Sequence, residues 1–305
     1  MTRQTVTIVG SYNVGLFLKG KRLPAPGETV IADEFVEGGG GKGSNQAVAA
    51  ALFGADVRFV GCVGSDKYGE DALAMYTRLG ISIEHVRIDP SIHSGISVIL
   101  IDENGANLIS VVPGANLNLS ADDIDAAEPI LKRSGVVGFQ LENDHGTVFH
   151  AIRKTHELGV PVFLDPAPAV KLPEDLYPHI DIIKPNETEA FILTGIEVND
   201  ASSAEAAGKW FVNRGVKTAL VTLGAGGVVR VNDTGAEHFA APKVEAIDST
   251  GAGDIFSGGF LAALASGKTE DEALKWANAA AALSTTKSGV IESIQEFPRG
   301  SRRAP

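Results

Sequence analysis

Apolar residues in this chain fall into short continuous runs that alternate with amphipathic stretches, and from Ser120 onward the alternation is regular. The pattern predicts a helix over 120–132 followed by a strand over 136–141, and a helix over 145–158 followed by a strand over 161–164. A strand at 180–184 precedes a helix at 187–193, and a helix at 202–214 precedes a strand at 218–223. Earlier in the chain, 5–10 and 57–63 read as buried strands, and 69–79 as a helix closed by Gly80. A strand-like run over 227–231 and two long helices, 252–265 and 270–284, complete the series. Strands alternating with helices through short connections predict an α/β fold, a mostly parallel central sheet with helices on both faces.

Some strands do not belong to that series. The stretch 14–36 alternates poorly and holds Pro24, Pro26 and Gly27, with strand-like runs at 16–18 and 29–31. Runs at 94–101 and 107–112 flank Asp102-Glu103-Asn104-Gly105, a good hairpin turn. These pieces predict a small β-sheet lid, built from about 13–37 and 94–112, on a single α/β domain spanning 1–298. The tail 299–305 is expected to be disordered.

In such folds ligands bind beyond the carboxyl ends of the strands, which directs attention to Asn13, Glu142, Asp165, Asn186 and Gly224. The glycine run 38–43 feeds the alanine-rich stretch 47–53 but is not a Walker A loop. Val36 stands where that loop needs its first glycine, and Gly43 follows Lys42. Gly38, Gly40 and Gly43 satisfy a dinucleotide spacing, yet the first strand ends far upstream at Gly10, and Asp56 begins its strand rather than ending it. Held among glycines, Lys42 and Asn45 can donate to the hydroxyls of a polyol, with a solvated lysine beside a helix cap as the alternative.

Gly251, Ala252 and Gly253 precede Asp254 and an amphipathic run of Phe256, Phe260, Leu261 and Leu264. A helix start leaves amides unpaired and carries partial positive charge, so this turn suits an anion. Asp254 beside it could take a proton from a hydroxyl, or simply cap the helix. In Asn186-Glu187-Thr188-Glu189 capping is the default, and the alternative has Glu189 orienting magnesium-bound water near a phosphate. The stretch 222–227 is a plain turn or a surface where a nucleotide lies against bare backbone. Asp248, Thr250 and Ser293, with the loop 286–289, offer oxygen atoms suited to a hard cation.

Composition narrows the choice. The 305 residues are 44% apolar and 21% charged, ordinary for a globular protein. A formal net charge of −12, with no basic run longer than Arg302-Arg303, argues against nucleic acid or an anionic membrane as partner. Cys62 is the only cysteine, which excludes an internal disulfide and a cysteine-based zinc site. No segment approaches the roughly 20 apolar residues of a membrane span, and no signal-like stretch opens the sequence, so a cytoplasmic location is expected. No G-x-S-x-G elbow or H-E-x-x-H pattern supports hydrolase chemistry.

Taken together, GGGGKGSNQA at 38–47, NETE at 186–189, TLGAGG at 222–227 and DSTGAGD at 248–254 resemble the ribokinase-like (PfkB) carbohydrate kinase family, with its ribokinase branch nearest. GSYN near the start, PAPGETV at 24–30, PGAN at 113–116 and LDPAPA at 164–169 extend the likeness over essentially the whole chain. The resemblance implies ATP-dependent transfer of the γ-phosphoryl group to a sugar hydroxyl. By the same likeness Asp254 matches the catalytic base, and Gly251, Ala252 and Gly253 the anion hole. Asn13, Gly41, Lys42, Asn45 and Glu142 match sugar contacts. Asn186, Thr222, Gly224, Gly227 and Asn278 match nucleotide contacts. Glu189 matches an acid linked to Mg²⁺, and Asp248, Thr250 and Ser293 match a monovalent-cation site for K⁺. The likeness also implies a lid over the sugar that pairs two subunits. A nucleoside or modified sugar is the alternative acceptor, and a non-catalytic sugar-binding protein the alternative from another class. One departure stands out: members of that branch usually carry an acid two residues after the Asn of the first loop, where this chain has Gly15. Its loss is expected to weaken ribose binding or to make room for a different, bulkier polyol.

Overall fold

The structure, a computed structural model, describes residues 5–287, 289 and 293–294; the end of the expected domain and the tail 299–305 lie outside them. In chain order the strands are β1 (Thr5–Val9), β2 (Asn13–Lys19), β3 (Glu34–Gly40), β4 (Asp56–Gly64), β5 (Ser82–Asp89), β6 (Gly95–Ile101) and β7 (Asn107–Val112). They continue as β8 (Ser134–Phe139), β9 (Val162–Leu164), β10 (Ile182–Ile183), β11 (Thr218–Thr222), β12 (Val228–Asn232) and β13 (Gly235–Phe239). The helices are α1 (Lys42–Leu52), α2 (Lys67–Arg78), α3 (Ala121–Ala126), α4 (Glu128–Leu131) and α5 (His145–Glu157). After them come α6 (Glu187–Thr194), α7 (Ala201–Val212), α8 (Ala252–Ala265) and α9 (Glu270–Ser284).

Nine strands form one sheet in the order β13-β12-β11-β10-β9-β8-β1-β4-β5. It is parallel from β5 to β11, and β12 and β13 add an antiparallel edge. Side chains of a strand alternate between faces, and here the alternation feeds a core on each face, besides a smaller cluster of Val221, Val229 and Val231 against α6 and α7. Val136, Phe163 and Leu220 point into one with α1, α2, α8 and α9; Val137, Val162, Leu164 and Ala219 point into the other with α3 to α5. This is the layered sheet the periodicity predicts.

The second sheet has the order β3-β2-β6-β7. Its β6–β7 hairpin turns at Asp102, whose Oδ1 accepts from the amides of Asn104 and Ala106 at 2.9 Å each. The expected strand at 29–31 is absent; the sheet takes β3 instead, absorbing Gly38, Gly39 and Gly40 into a strand. The helix expected over 120–132 is two, α3 and α4, meeting at Ala127 with Pro129 in the first turn of the second. β5 and β13 were not foreseen in the pattern.

Helices α1 and α8 meet at close quarters. Gly258 on α8 lies so near α1 that a Cβ there would stand 2.5 Å from the Ala49 Cβ and 2.6 Å from the Gln46 carbonyl oxygen. The missing side chain lets the two helices cross at backbone distance, and one turn earlier on α8 sits Asp254, against Asn45 and Gln46.

Candidate active site

Glu142, just past β8, gathers polar groups from three segments onto a single oxygen. Its Oε2 accepts from Ser11 Oγ at 2.5 Å, from the Lys42 amide at 2.9 Å and from Asn13 Nδ2 at 3.4 Å. The other carboxylate oxygen is thereby left for a ligand. Gly41 makes the approach possible: its φ is +88°, and a Cβ there would stand 2.7 Å from the Asn13 amide nitrogen. Only glycine can hold that turn, which sets the first amide of α1 over Glu142. Asn116 fastens the arrangement from behind. Fully buried, it donates from Nδ2 to Tyr12 O, Asn13 Oδ1 and Pro113 O, each at 2.9 Å, and accepts the Tyr12 amide at 2.9 Å. Asn13, Lys42 and Glu142 line a cavity of about 310 Å³ together with Val111, Leu117 and Leu141.

Asp254 does not cap α8. The helix has no side-chain cap at all; its Ncap is Gly251, at φ 72°, and Asp254 lies in the first turn. The opening amides are therefore not covered by a side chain, the state in which a helix start accepts an anion. The Asp254 carboxyl is turned inward to α1, accepting from Asn45 Nδ2 at 2.9 Å and from Gln46 Nε2 at 3.2 Å. Burial pushes its pKa above the ordinary aspartate value; Lys42, Asn45 and Lys184 pull it down and Asp165 adds to the rise.

Asp165, expected as a polar residue past a strand end but given no role, and Lys184, outside the expected set, complete this centre. Asp165, after β9, accepts from Gln46 Nε2 at 2.9 Å and from Ser257 Oγ at 3.1 Å, and pairs with Lys184 Nζ at 2.9 Å. Lys184, buried after β10, also donates to the Gly253 carbonyl oxygen at 3.2 Å. A lysine closing a buried strand was the available signal; its partners on α8 and after β9 were not visible in sequence. Lys42 is held above the ordinary lysine value although burial alone would lower it, because Asp254, Asp165, Glu142 and Glu189 together outweigh the burial.

The nucleotide candidates meet on the neighbouring strand ends. Asn186 and Glu189 form a reciprocal cap of α6: Asn186 Oδ1 accepts the Glu189 amide at 2.8 Å, and Glu189 Oε2 accepts the Asn186 amide at 2.8 Å. The capping role is thus present, while burial and Asp165 push the Glu189 carboxyl above its ordinary value against Lys184 and Lys42. Thr222 joins this loop through its amide, 3.0 Å from Pro185 O. Gly224 opens a short turn after β11. Gly227 packs so tightly that a Cβ would stand 2.1 Å from Phe239 O, and Asn278 Nδ2 donates to Phe239 O and Ala240 O at 3.0 Å each.

Asp248 Oδ1 accepts the Thr250 amide at 2.9 Å and its Oδ2 the Gly289 amide at 3.3 Å, while the Ile247 and Asp248 amides donate to Thr285 O. The two loops expected around a cation are therefore adjacent, and Ser293 is buried; Ser288 lies outside the described residues. Among the described residues no three His, Cys, Asp or Glu side chains converge on a metal position. Glu189 standing singly fits a metal held mainly by water and phosphate, and the oxygen-only set around Asp248 fits a monovalent cation.

The room expected at Gly15 is taken. A Cβ at Gly15 would lie 2.6 Å from Phe17 Cε2, so the ring of the next residue on that face covers the glycine. The same face carries Asn13 at one end and, across β6, Val111 in the cavity wall. Ring carbon covers Gly15 itself, and Ser97 stands beside it in register on β6.

The model of the pfkB carbohydrate kinases matches residues 3–296. A ribokinase of Haemophilus influenzae is 40% identical over 96% of this chain and 95% of its own length. A deoxyribokinase of Salmonella typhimurium is 36% identical over 96% of this chain and 97% of its own. Among solved structures, Arabidopsis thaliana ribokinase in complex with ribose and ATP superposes with a TM-score of 0.89 at 31% identity, covering 99% of this chain and 98% of that one. Thermotoga maritima ribokinase gives 0.87 at 35% identity, with 98% of each chain covered.

Proposed function

The chain belongs to the pfkB family of carbohydrate kinases, and from that premise we propose how its site works and which sugar it takes. It is an ATP-dependent sugar kinase that moves the γ-phosphoryl group to a hydroxyl of ribose or a related small sugar. Asp254 is the base: it takes the proton of the attacking hydroxyl while that oxygen bonds to the γ-phosphorus and the bond to ADP breaks. The opening turn of α8 at Gly251, Ala252 and Gly253, uncapped by any side chain though the Ala252 amide donates to Ser249 O at 3.2 Å, holds the charge of the moving phosphoryl group. Glu142, Asn13, Gly41, Lys42 and Asn45 orient the sugar. Asn186, Thr222, Gly224, Gly227 and Asn278 form the nucleotide wall. The observation that carries this reading is α1 itself. Its first amide holds Glu142 and, less than one turn on, Asn45 holds Asp254, so a single rigid element sets the polyol acceptor against the base.

A Mg²⁺ ion near Glu189 would neutralise phosphate charge. A monovalent cation held by Asp248, Thr250 and Ser293 would stiffen the loops behind the anion hole. For the second, turnover is expected to be faster in K⁺ than in Na⁺ or Li⁺ at matched ionic strength; equal rates would remove the assignment.

The acceptor has a second reading. Phe17 ring carbon covers Gly15 on the sheet face that carries Val111 of the cavity wall, which favours a pentose turning a C–H or a deoxy position to the small sheet at least as much as ribose. The small sheet is proposed to act as a lid and to pair two copies of the chain. The net negative charge supports neither nucleic acid nor membrane as partner, and among the described residues no helix is long and apolar enough to cross a membrane. The test is an assay with Mg-ATP against ribose, 2-deoxyribose, hexoses and nucleosides. Asp254→Asn should lower kcat by about 10²–10⁴-fold with sugar binding by calorimetry little changed. Near-wild-type turnover in that variant would remove Asp254 as base, and a sugar bound but never phosphorylated by the wild type would make the protein a binding module.

A further inference from the structure

Gln46 stands between two acids. Its Nε2 donates to Asp165 Oδ2 at 2.9 Å and to Asp254 Oδ1 at 3.2 Å, while its Oε1 accepts from Gln140 Nε2 at 2.6 Å. Both glutamines are fully buried. A carboxamide has two N–H donors, and here each meets a carboxylate that, when ionised, can only accept. The amide can therefore point one way, and the Gln140 donor at its oxygen locks it there. Asn45 holds the other oxygen of Asp254, so each carboxylate oxygen receives one amide. The charged groups around Asp254 are Lys42 from α1, Asp165 after β9 and Lys184 after β10.

We propose that Gln46, oriented by Gln140, is a positioning residue that holds Asp254 aimed and ready to accept a proton, acting as a neutral double donor between Asp254 and Asp165. This rests on Asp254 being the base. In the transfer the sugar O–H bond breaks, its proton passes to Asp254, its oxygen bonds to the γ-phosphorus, and the electron pair of the broken P–O bond leaves with ADP. For this the carboxyl must start ionised, yet burial and Asp165 both favour its protonated form. A donor placed between the acids satisfies both without adding charge, and hydrogen bonds to a carboxylate favour its ionised state.

The experiment measures kcat and KM against pH for the wild type, Gln46→Leu, Gln46→Glu and Gln140→Leu, with infrared titration of the Asp254 carboxyl in the absence of substrates. In Gln46→Leu the acid limb of kcat is expected to move upward by about one pH unit or more, with activity returning as pH rises and both KM values within about threefold. Gln46→Glu, which puts a third acid in the row, should move it further. Gln140→Leu frees the amide to turn and should give a smaller shift of the same sign. Activity lost equally at every pH with an unmoved limb would mean that Gln46 only fills space, and would overturn the proposal. The infrared titration stands apart from turnover: an Asp254 band titrating as in the wild type sinks the proposal even where activity falls. Should Asp254→Asn keep its activity, the base assignment fails, and the infrared result still decides whether Gln46 governs the protonation of Asp254.

Discussion

Asn45 and Asp254 are 209 positions apart in the chain and 2.9 Å apart in space. Each could be singled out from its neighbours, Asn45 from the glycine run before it and Asp254 from the small residues that open α8. Asp165 reads as a polar residue past a strand end, but its role, like those of Gln46 and Lys184, could not be assigned in the same way. Their partners lie 119 and 69 residues off on other elements, and no local spacing encodes such a meeting. Gly15 shows the opposite failure. A glycine reads as room, but what fills the room is a side chain two positions on, whose rotamer the sequence does not state. From this geometry Gly15→Asp alone should be harmful, because its Cβ would have to displace the Phe17 ring, at a cost of about 1–3 kcal/mol. Combined with Phe17→Ala, the new carboxylate gains space beside Asn13. The preference for ribose over 2-deoxyribose in kcat/KM should then rise by about tenfold or more over wild type. An unchanged ratio in the double variant would show that this corner does not read the sugar.

Among the elements, those with a strong apolar period were legible and the edges were not. β13 exposes four of its five residues, and β5 mixes charged and apolar positions at the sheet's border, so neither shows the buried run that marked the central strands. The run at 29–31 has β-branched residues but nothing to pair with, and Ile31 is 91% exposed. Glycines 38–40 form a strand because β2 supplies the ladder and leaves no need for side chains. The start of α2 carries its own prediction. Asp66 Oδ1 accepts the Gly69 amide at 2.8 Å and Ser94 Oγ at 2.7 Å, and Oδ2 accepts the Ser94 amide at 2.8 Å, joining the helix to the residue before β6. Asp66→Ala removes a cap and leaves a buried amide unpaired, which should cost about 2–4 kcal/mol in urea unfolding with the slope unchanged. Burial raises the Asp66 carboxyl, but Ser94 and Gly69 outweigh it and hold it below the ordinary value. The stabilisation is therefore present above the usual aspartate range and fades as pH falls through the lowered value, so the two proteins should converge in acid. A gap that stays constant with pH would contradict the ion's part in it.

At the scale of the molecule, alternation of helices and strands was enough to anticipate a parallel sheet clad on both sides, because burial on two faces writes itself into sequence as uninterrupted apolar runs. The purpose of the small sheet was less visible, since both of its faces are apolar. One carries Val36, Phe17, Ile99 and Ile109 in register, the other Phe35, Leu18, Leu100 and Leu108. A lid over a sugar accounts for the first face alone. Phe35 and Leu108, 58% and 51% exposed, are the positions on the second face that the proposed pairing of two copies would cover. Sedimentation of the wild type at micromolar concentration should show a dimer and that of Phe35→Lys/Leu108→Lys a monomer; a monomeric wild type would end the pairing proposal.

Asn116 bears on how such a flap can swing. Its amide rivets the backbone at Tyr12 and Pro113 to the Asn13 side chain, and Gly95 abuts it with no space for even a methyl group. The crossings into β2 and β6 and out of β7 meet at that point, so flexing of those strands has to begin farther out along the ribbon. If the small sheet does act as the proposed lid, the cradle beneath would keep its shape whether the doorway stood ajar or shut, and a guest could be weighed and turned away before the door had moved.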